Sequence, residues 1–341
     1  MDKVLVIQTA FIGDAILGTA LLERLHQDYP DAKIDYLVRN GNQSLFQGHS
    51  FLNEVLVWNK KESKYSELWK VLRKVRSRRY DAVFNIQRYA ASGFLTAFSG
   101  AHQTIGYKNN PLSFLFSKLV EHRFGKGFQN VHEVDRVLDL VSENSERTNP
   151  KIYPSEKDMD TVSEFKSQPF ITIAPASVWF TKQLPVEKWV ELVNQIPNET
   201  KVYLIGATSD GVVADEIVQK TKREISDLTG KLKLLETAAL MKDAQMNYAN
   251  DSAPVHLASA VNAPITEVFC STVPEFGFTP LSDHSIVIQT KEKLACRPCG
   301  IHGKSGCPEG HFNCANSIDV DEVAQLFDQL NGEGFLKTDM N

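Results

Sequence analysis

Along the first half of the chain, short runs of aliphatic and β-branched residues alternate with longer stretches whose apolar positions recur every three or four residues. Residues 4–8, 34–38, 54–58 and 81–87 are the short runs, and between the first two AILGTALLERLHQDYP sets Ile16, Ala20, Leu21 and Leu25 on one helical face. Strand, helix and strand repeated in this way predict a parallel sheet wrapped by helices. The pattern restarts at 170–174 and continues through 202–205, 245–249, 265–269 and 285–289. Residues 142–167 between the halves are polar and turn-rich, with no apolar periodicity until Val162, so a hinge is expected at 150–168. The expected fold class is α/β, with two Rossmann-like doubly wound domains in tandem, 1–155 and 165–341. Ligands of such sheets bind beyond the carboxyl ends of the strands, and two facing domains would enclose a cleft there.

Composition narrows the class without naming a function. The 341 residues are 42% hydrophobic and 23% charged, which excludes a disordered, collagenous or disulfide-dense chain. No apolar run approaches the roughly 18 residues of a membrane span, and MDKVLVIQTA lacks the features of a signal peptide, so a cytoplasmic protein is expected. The net charge of −5 conceals a split: 20 Lys and Arg face 16 Asp and Glu in residues 1–150, against 17 and 26 in the remainder. Residues 60–79 concentrate nine basic and two acidic side chains around an apolar stripe of Leu68, Leu72 and Val75. One face of that helix packs and the other is either an ordinary solvated surface or an attractor of acidic partners and anionic lipid. No aromatic stacking motif accompanies the charge, so nucleic acid is not expected.

Three places after strands carry candidate chemistry. Gly13 and Asp14 stand at the first strand-to-helix turn, where the carboxylate could cap free N–H groups or accept a proton from a substrate hydroxyl. The absence of GxGxxG there weighs against a nicotinamide-dependent dehydrogenase. After residues 170–174, Thr181 and Lys182 precede a helix expected to start near Pro185, leaving Lys182 either as a solvated lysine or as a partner for phosphate oxygens. Then NYANDSAPVHLASAVNAPITEVF reads as strand, turn, helix, turn and strand, with Asp251 or Ser252 at the N-cap and Pro254 in the first turn. Such a helix start suits an anion, and Ser252 and His256, four apart, share a face.

Taken together, IGD and YPDAKI in the first half, K-x-x-P-x-x-x-W at Lys182, IGATSD, DLTGK and NDSAPVHLASAVNAPITEVF occur in an order that resembles glycosyltransferase family 9, the ADP-heptose:lipopolysaccharide heptosyltransferases. The resemblance implies a GT-B fold, with the acceptor on the first domain and the nucleotide sugar on the second. It implies Asp14 as general base and Lys182, beside Thr181, on the donor diphosphate. Asp210 would hold the ribose, the segment around Leu232 would lie against adenine, and Asp251 would meet the donor sugar. Ser252 and Ala253 would meet the phosphates, with His256 completing the motif. Gly13, Arg88, His132 and Arg136 are acceptor candidates, with Asp135 in the same VHEVDR segment. The reaction implied is inverting transfer of heptose from ADP-heptose to an acidic glycolipid, the lipid A–Kdo type inner core of lipopolysaccharide. It requires no cofactor, and the enzyme would touch the inner membrane peripherally. Two positions depart from the family: Ala253 stands where glycine is usual, and Gln8 where a basic residue is common.

Four of the five cysteines, Cys296, Cys299, Cys307 and Cys314, crowd into CRPCGIHGKSGCPEGHFNC. A reducing compartment disfavours disulfides, and the spacing is not that of a zinc ribbon. The alternatives are a structural zinc, with His302 or His311 able to replace a thiolate, and unligated thiols in a tail loop. Cys270 reads as a small buried residue. Other functional classes consistent with the pattern are a different GT-B sugar transferase, a nucleotide-sugar epimerase and a non-catalytic nucleotide- or lipid-binding module.

Overall fold

The computed structural model describes residues 1–60, 63–125, 127–142 and 146–332. Lys61 and Glu62 of the basic run, 143–145 of the polar connection and 333–341 of the second expected domain lie outside the described residues. The chain divides into two compact units, Met1–Tyr153 and Pro154–Asn341.

In the first unit the described strands are β1 (Lys3–Gln8), β2 (Lys33–Arg39), β3 (Leu52–Trp58), β4 (Ala82–Asn85), β5 (Gln103–Tyr107) and β6 (Lys118–Val120). They pair in parallel in the order β3-β2-β1-β4-β5-β6. Helices α1 (Ile12–Leu17), α2 (Thr19–Asp28), α3 (Lys64–Arg78), α4 (Ala90–Ala97) and α5 (Glu133–Leu138) lie between or after them. β1 is sandwiched and therefore apolar at every position from Val4 to Ile7, each fully buried. The stripe anticipated in the basic run is real: Leu68, Val71, Leu72 and Val75 of α3 pack with Leu5, Ile7, Trp58 and Val83.

The second unit repeats the design with β7 (Phe170–Ala174), β8 (Lys201–Leu204), β9 (Ser226–Asp227), β10 (Met246–Asn250), β11 (Ile265–Phe269) and β12 (Ser285–Gln289). Their order is β12-β11-β10-β7-β8-β9, again parallel. The helices are α6 (Glu156–Thr161), α7 (Val186–Gln195), α8 (Gly211–Lys220), α9 (Leu234–Asp243), α10 (Ala253–Ala260), α11 (Asn313–Asn316) and α12 (Val320–Gly332). α7 begins directly after Pro185, whose fixed φ suits a helix entry, and turns Trp189, Leu192 and Val193 inward onto Ile171, Ile173 and Val268. Each sheet reverses its winding at one place, between β1 and β4 in the first unit and between β7 and β10 in the second. Those two crevices are where ligands of open α/β sheets bind.

β5, β6 and β9 are absent from the expected strand set because they carry little of the apolar alternation that betrays a strand. β6 spans three residues, two of them exposed, and β9 two half-buried ones. β5 contains Gly106, against which Phe116 packs so closely that a Cβ would lie 2.7 Å from its ring.

Trp189 is wholly buried at the centre of the second core. Trp189→Ala is expected to cost about 3–5 kcal/mol, read as a lower urea midpoint; a loss below about 1 kcal/mol would show that the pocket collapses around the vacancy.

Candidate active site

In the first unit the crevice between β1 and β4 is closed at its base by polar side chains. Gln87 Oε1 accepts hydrogen bonds from the Thr9 N–H (3.1 Å) and hydroxyl (2.8 Å), and Asn110 Nδ2 donates to the Gln87 carbonyl (3.1 Å). Gly93 must be glycine for Asn110 to sit there, since a Cβ would lie 2.2 Å from the Asn110 Oδ1. At the rim Lys60 donates to the Thr9 carbonyl (2.7 Å). This brings a cation to the end of β1.

The helix after β1 starts one turn earlier than the sequence suggested. Phe11 is the N-cap, so Gly13 and Asp14 lie inside the first turn of α1, with Gly13 buried and Asp14 half-buried. Asp14 therefore does not occupy the capping position; its carboxylate adds negative charge to the helix start, where the dipole favours it. Arg88 is exposed just past β4. Asp14 and Arg88 both act electrostatically on Glu133, a residue the sequence reading passed over. Burial pushes the Glu133 carboxyl above its ordinary value, and Asp14 adds to this. Its ion pair with Arg136 (2.6 Å) and the nearby Arg88 oppose the rise.

Two acceptor candidates turn out to be structural. Arg136 is fully buried: its guanidinium donates to the Arg123 carbonyl (3.0 Å) and the Val131 carbonyl, pairs with Glu133 and lies over the Phe124 ring (4.8 Å). All its reach is spent inside the unit, so it is not available to a ligand. His132 is the N-cap of α5, its Nδ1 accepting the Val134 N–H at 3.1 Å. Asp135 holds Arg147 in a two-point pair.

The second crevice is organised by Asn250 at the end of β10. Its Oδ1 accepts the Leu184 N–H (2.8 Å) and its Nδ2 donates to the Pro175 carbonyl (2.7 Å), which ties the segment after β7 to the segment after β10. That segment carries Lys182, whose ammonium meets Asp251 Oδ2 at 2.6 Å with both side chains largely buried. The Thr272 hydroxyl donates to the same oxygen at 2.6 Å. Behind them Glu267, in the middle of β11, is completely buried, and neither carboxyl oxygen has a hydrogen-bond partner among the described residues. Burial first, and the Asp251 charge second, push its carboxyl well above the usual range, against a smaller opposing pull from Lys182. A neutral Glu267 leaves the trio of Lys182, Asp251 and Glu267 without net charge; an ionised one would make it negative and repel a phosphate. A charged residue inside the apolar run ITEVF was the available signal for Glu267, whereas nothing local marked Thr272.

The remaining donor candidates all follow carboxyl ends of the same sheet. Ser252 caps α10 by position without a side-chain cap bond; its hydroxyl turns back to the Asn250 carbonyl (3.1 Å). Ala253 is the first helical residue, and His256 is buried near Phe278. Asp210, after β8, accepts the Ala207 N–H (2.8 Å), and Leu232 is half-buried in the turn after β9. Thr181 is displaced from its expected role: it is buried, and its hydroxyl is engaged by Ser271 and Lys304 instead of facing a ligand.

The cysteines meet in one place. Cys296, Cys299, Cys307, Cys314 and His311 line a cavity of about 130 Å³, all four thiols unbridged. Among the described residues, however, no group of three or more His, Cys, Asp or Glu side chains is arranged to hold a metal ion. Cys299 Sγ points to the Cys296 carbonyl, Cys296 faces His311 Nε2 at 3.8 Å, and Cys314 is buried on the short helix α11. Exposed His302 is not part of the cavity lining. Cys270 is wholly buried, as expected.

Two Rossmann-like units, each with its crevice at the strand-order reversal, constitute the GT-B fold of sugar transferases. The model of glycosyltransferase family 9 (heptosyltransferase) matches residues 68–305, and the chain belongs to that family. It is 25% identical over 279 residues to lipopolysaccharide heptosyltransferase 3 of Escherichia coli, covering 77% of this chain and 82% of the relative. Among solved structures it superposes on a family 9 glycosyltransferase from Veillonella parvula with a TM-score of 0.82 at 20% identity, covering 98% of both chains. ADP-heptose LPS heptosyltransferase II of E. coli gives a TM-score of 0.79 at 22% identity, covering 97% of this chain and 99% of that one.

His122, which Arg88 and Arg136 face in the first unit, is pushed down to about 3 by burial and by those two cations. The unfolded chain binds its proton near pH 6.5 and the folded chain only near 3. Its contribution to stability is therefore complete above pH 6.5 and lost as the pH falls toward 3, at up to about 1.4 kcal/mol per pH unit. His122→Phe is expected to flatten the fall in stability between pH 6 and pH 4, measured by urea unfolding; an unchanged slope would refute the linkage.

Proposed function

We propose that the protein is an inverting heptosyltransferase that moves heptose from ADP-heptose to the inner core of a lipid A–Kdo type acceptor, with the acceptor on the first unit and the donor on the second. Membership of family 9 and the name of the E. coli relative support the donor and pathway. The observation that carries the chemistry is the Lys182–Asp251 pair at the carboxyl edge of the second sheet, beside the start of α10. Such a place can hold a diphosphate with a desolvated ammonium and helix N–H groups.

In the proposed step Asp14 takes the proton of the acceptor hydroxyl as its oxygen attacks the anomeric carbon. The bond from that carbon to the diphosphate oxygen breaks, and the electron pair leaves with the nucleoside diphosphate. Negative charge then grows on the phosphates, and the Lys182 ammonium stabilises it. Asp251 keeps the ammonium in place before the donor arrives and turns toward the sugar, while Asp210, Leu232, Ser252, Ala253 and His256 complete the donor surface. The reading asks for no cofactor, and the cysteine cavity stands outside the reaction.

The acceptor side is supported by charge. α3 presents exposed Lys70, Arg73, Lys74 and Arg76, and beside them Tyr65 and Trp69 are 75% and 54% exposed, Trp69 packing edge-on to Phe94. Glu67 and Glu54 pair with only some of these cations. Exposed basic side chains along one helix suit an anionic lipid surface, each charge adding about 1 kcal/mol of attraction. Among the described residues no helix is long and apolar enough to cross a membrane, so contact through α3 would be peripheral.

Asp14→Asn is expected to lower transfer at least about 100-fold while ADP affinity by calorimetry stays the same; wild-type turnover would sink the general-base role. On vesicles containing phosphatidylglycerol the protein is expected to co-sediment in a salt-sensitive way, and Arg73→Glu with Trp69→Ala to abolish it. Equal binding to neutral phosphatidylcholine vesicles would count against the α3 surface.

A further inference from the structure

The cysteine-rich segment is fastened to the loop that carries the donor lysine. Thr181, immediately before Lys182, is 1% exposed and joined to Lys304 through both ends: its N–H donates to the Lys304 carbonyl (3.1 Å), and its hydroxyl oxygen accepts the Lys304 N–H (2.8 Å). The Ser271 hydroxyl donates to the same oxygen at 3.0 Å. Gly303, with φ of +80°, packs against the assembly: a Cβ there would lie 2.9 Å from Lys182 Cγ and 3.0 Å from Thr181 Oγ1. Glycine is required at 303 by its backbone conformation and again by the approach of the lysine stem.

The same segment reaches the other member of the ion pair. The Arg297 guanidinium donates to the carbonyls of Cys270 (2.8 Å), Phe269 (3.3 Å) and Thr272 (2.6 Å), and the Cys299 N–H donates to the Ser271 carbonyl (2.8 Å). Thr272 in turn donates its hydroxyl proton to Asp251. Lys182 and Asp251 are thus each one residue or one hydrogen bond away from a group held by residues 297–304.

A lysine side chain has many rotamers, and immobilising it opposes ligand binding unless the fold has already done so. We propose that Thr181 and Gly303 are positioning residues for Lys182, the turn at 303–304 latching the lysine stem so that its ammonium is presented to the donor's diphosphate. This rests on the reading of Lys182 as the diphosphate contact. It assigns the cysteine-rich segment a part in donor recognition without any atom of it touching the donor.

The experiment is calorimetric ADP binding to the full-length protein with Lys182→Ala, Thr181→Val, Thr181→Ser, Gly303→Ala and the Thr181→Val/Lys182→Ala double variant, each with its melting temperature. Lys182→Ala is expected to weaken ADP at least tenfold. Thr181→Val and Gly303→Ala are expected to weaken it three- to tenfold, and Thr181→Ser, which keeps the hydroxyl, to restore most of the affinity. In the Lys182→Ala background Thr181→Val is expected to cause no further loss of affinity while still lowering the melting temperature, which a purely structural role would not produce. Equal losses from Thr181→Val with and without Lys182 would overturn the latch, as would wild-type affinity in both Thr181→Val and Gly303→Ala beside a weakened Lys182→Ala. Unchanged affinity in Lys182→Ala would instead overturn the diphosphate reading, and the latch with it. Should Thr181→Val fail to fold, Gly303→Ala tested in both backgrounds decides the same question.

Discussion

Every strand in both sheets runs parallel to its neighbour, and this constraint decides where chemistry can stand. Parallel strands must be joined by crossovers, so every strand leaves the sheet at the same edge and its following loop opens there. Where the winding reverses, two adjacent loops diverge and leave a crevice, and each unit has closed the base of that crevice with an amide: Gln87 between β1 and β4, Asn250 between β7 and β10. A neutral amide can satisfy both a donor and an acceptor from the diverging backbones. Asp251 directly follows Asn250 and Lys182 lies in the segment that Asn250 ties down, while Asp14 stands in the helix that follows β1.

In the second unit, electrostatics is settled locally. Residues 151–341 are strongly acidic in sum, so the overall field opposes a diphosphate. At short range and low exposure, individual groups outweigh that field, because solvent screens distant charges more than buried ones. Lys182 is balanced by Asp251, and burial pushes the Glu267 carboxyl above its ordinary range. A buried carboxyl without a hydrogen bond is costly, and Glu267 is coupled electrostatically to both Asp251 and Lys182.

Much of this was legible in the residues themselves. Buried strands read as short, mainly apolar or β-branched runs, so β1, β7 and β11 could be bounded nearly to the residue, and the start of α7 followed from Pro185. The short edge strands were not legible, because β6 spans three residues, two of them exposed, and β9 only two half-buried polar ones. Side-chain roles divided along another line. Lys182 and Asp251 stood in motifs and also stand together, whereas Arg136 and His132, read as acceptor candidates, are buried, with Arg136 satisfying carbonyls and Glu133 and His132 capping α5.

By itself, the sequence determined the alternation of strands and helices, the division into two units and the identity of the residues at the carboxyl edges, since these depend on periodicity and on loops adjoining strands. Only the tertiary structure decided which polar residues are spent inside the fold. Thr181 and Lys304 lie 123 positions apart and Arg297 reaches back 27 positions to Cys270; contacts at that separation depend on how strands and loops stack, and no local pattern along the chain encodes them. The cysteines show the same limit. Their spacing described a cluster, and packing determined that all four line one cavity beside the loop that carries Lys182, with Cys314 buried and the other three half-buried.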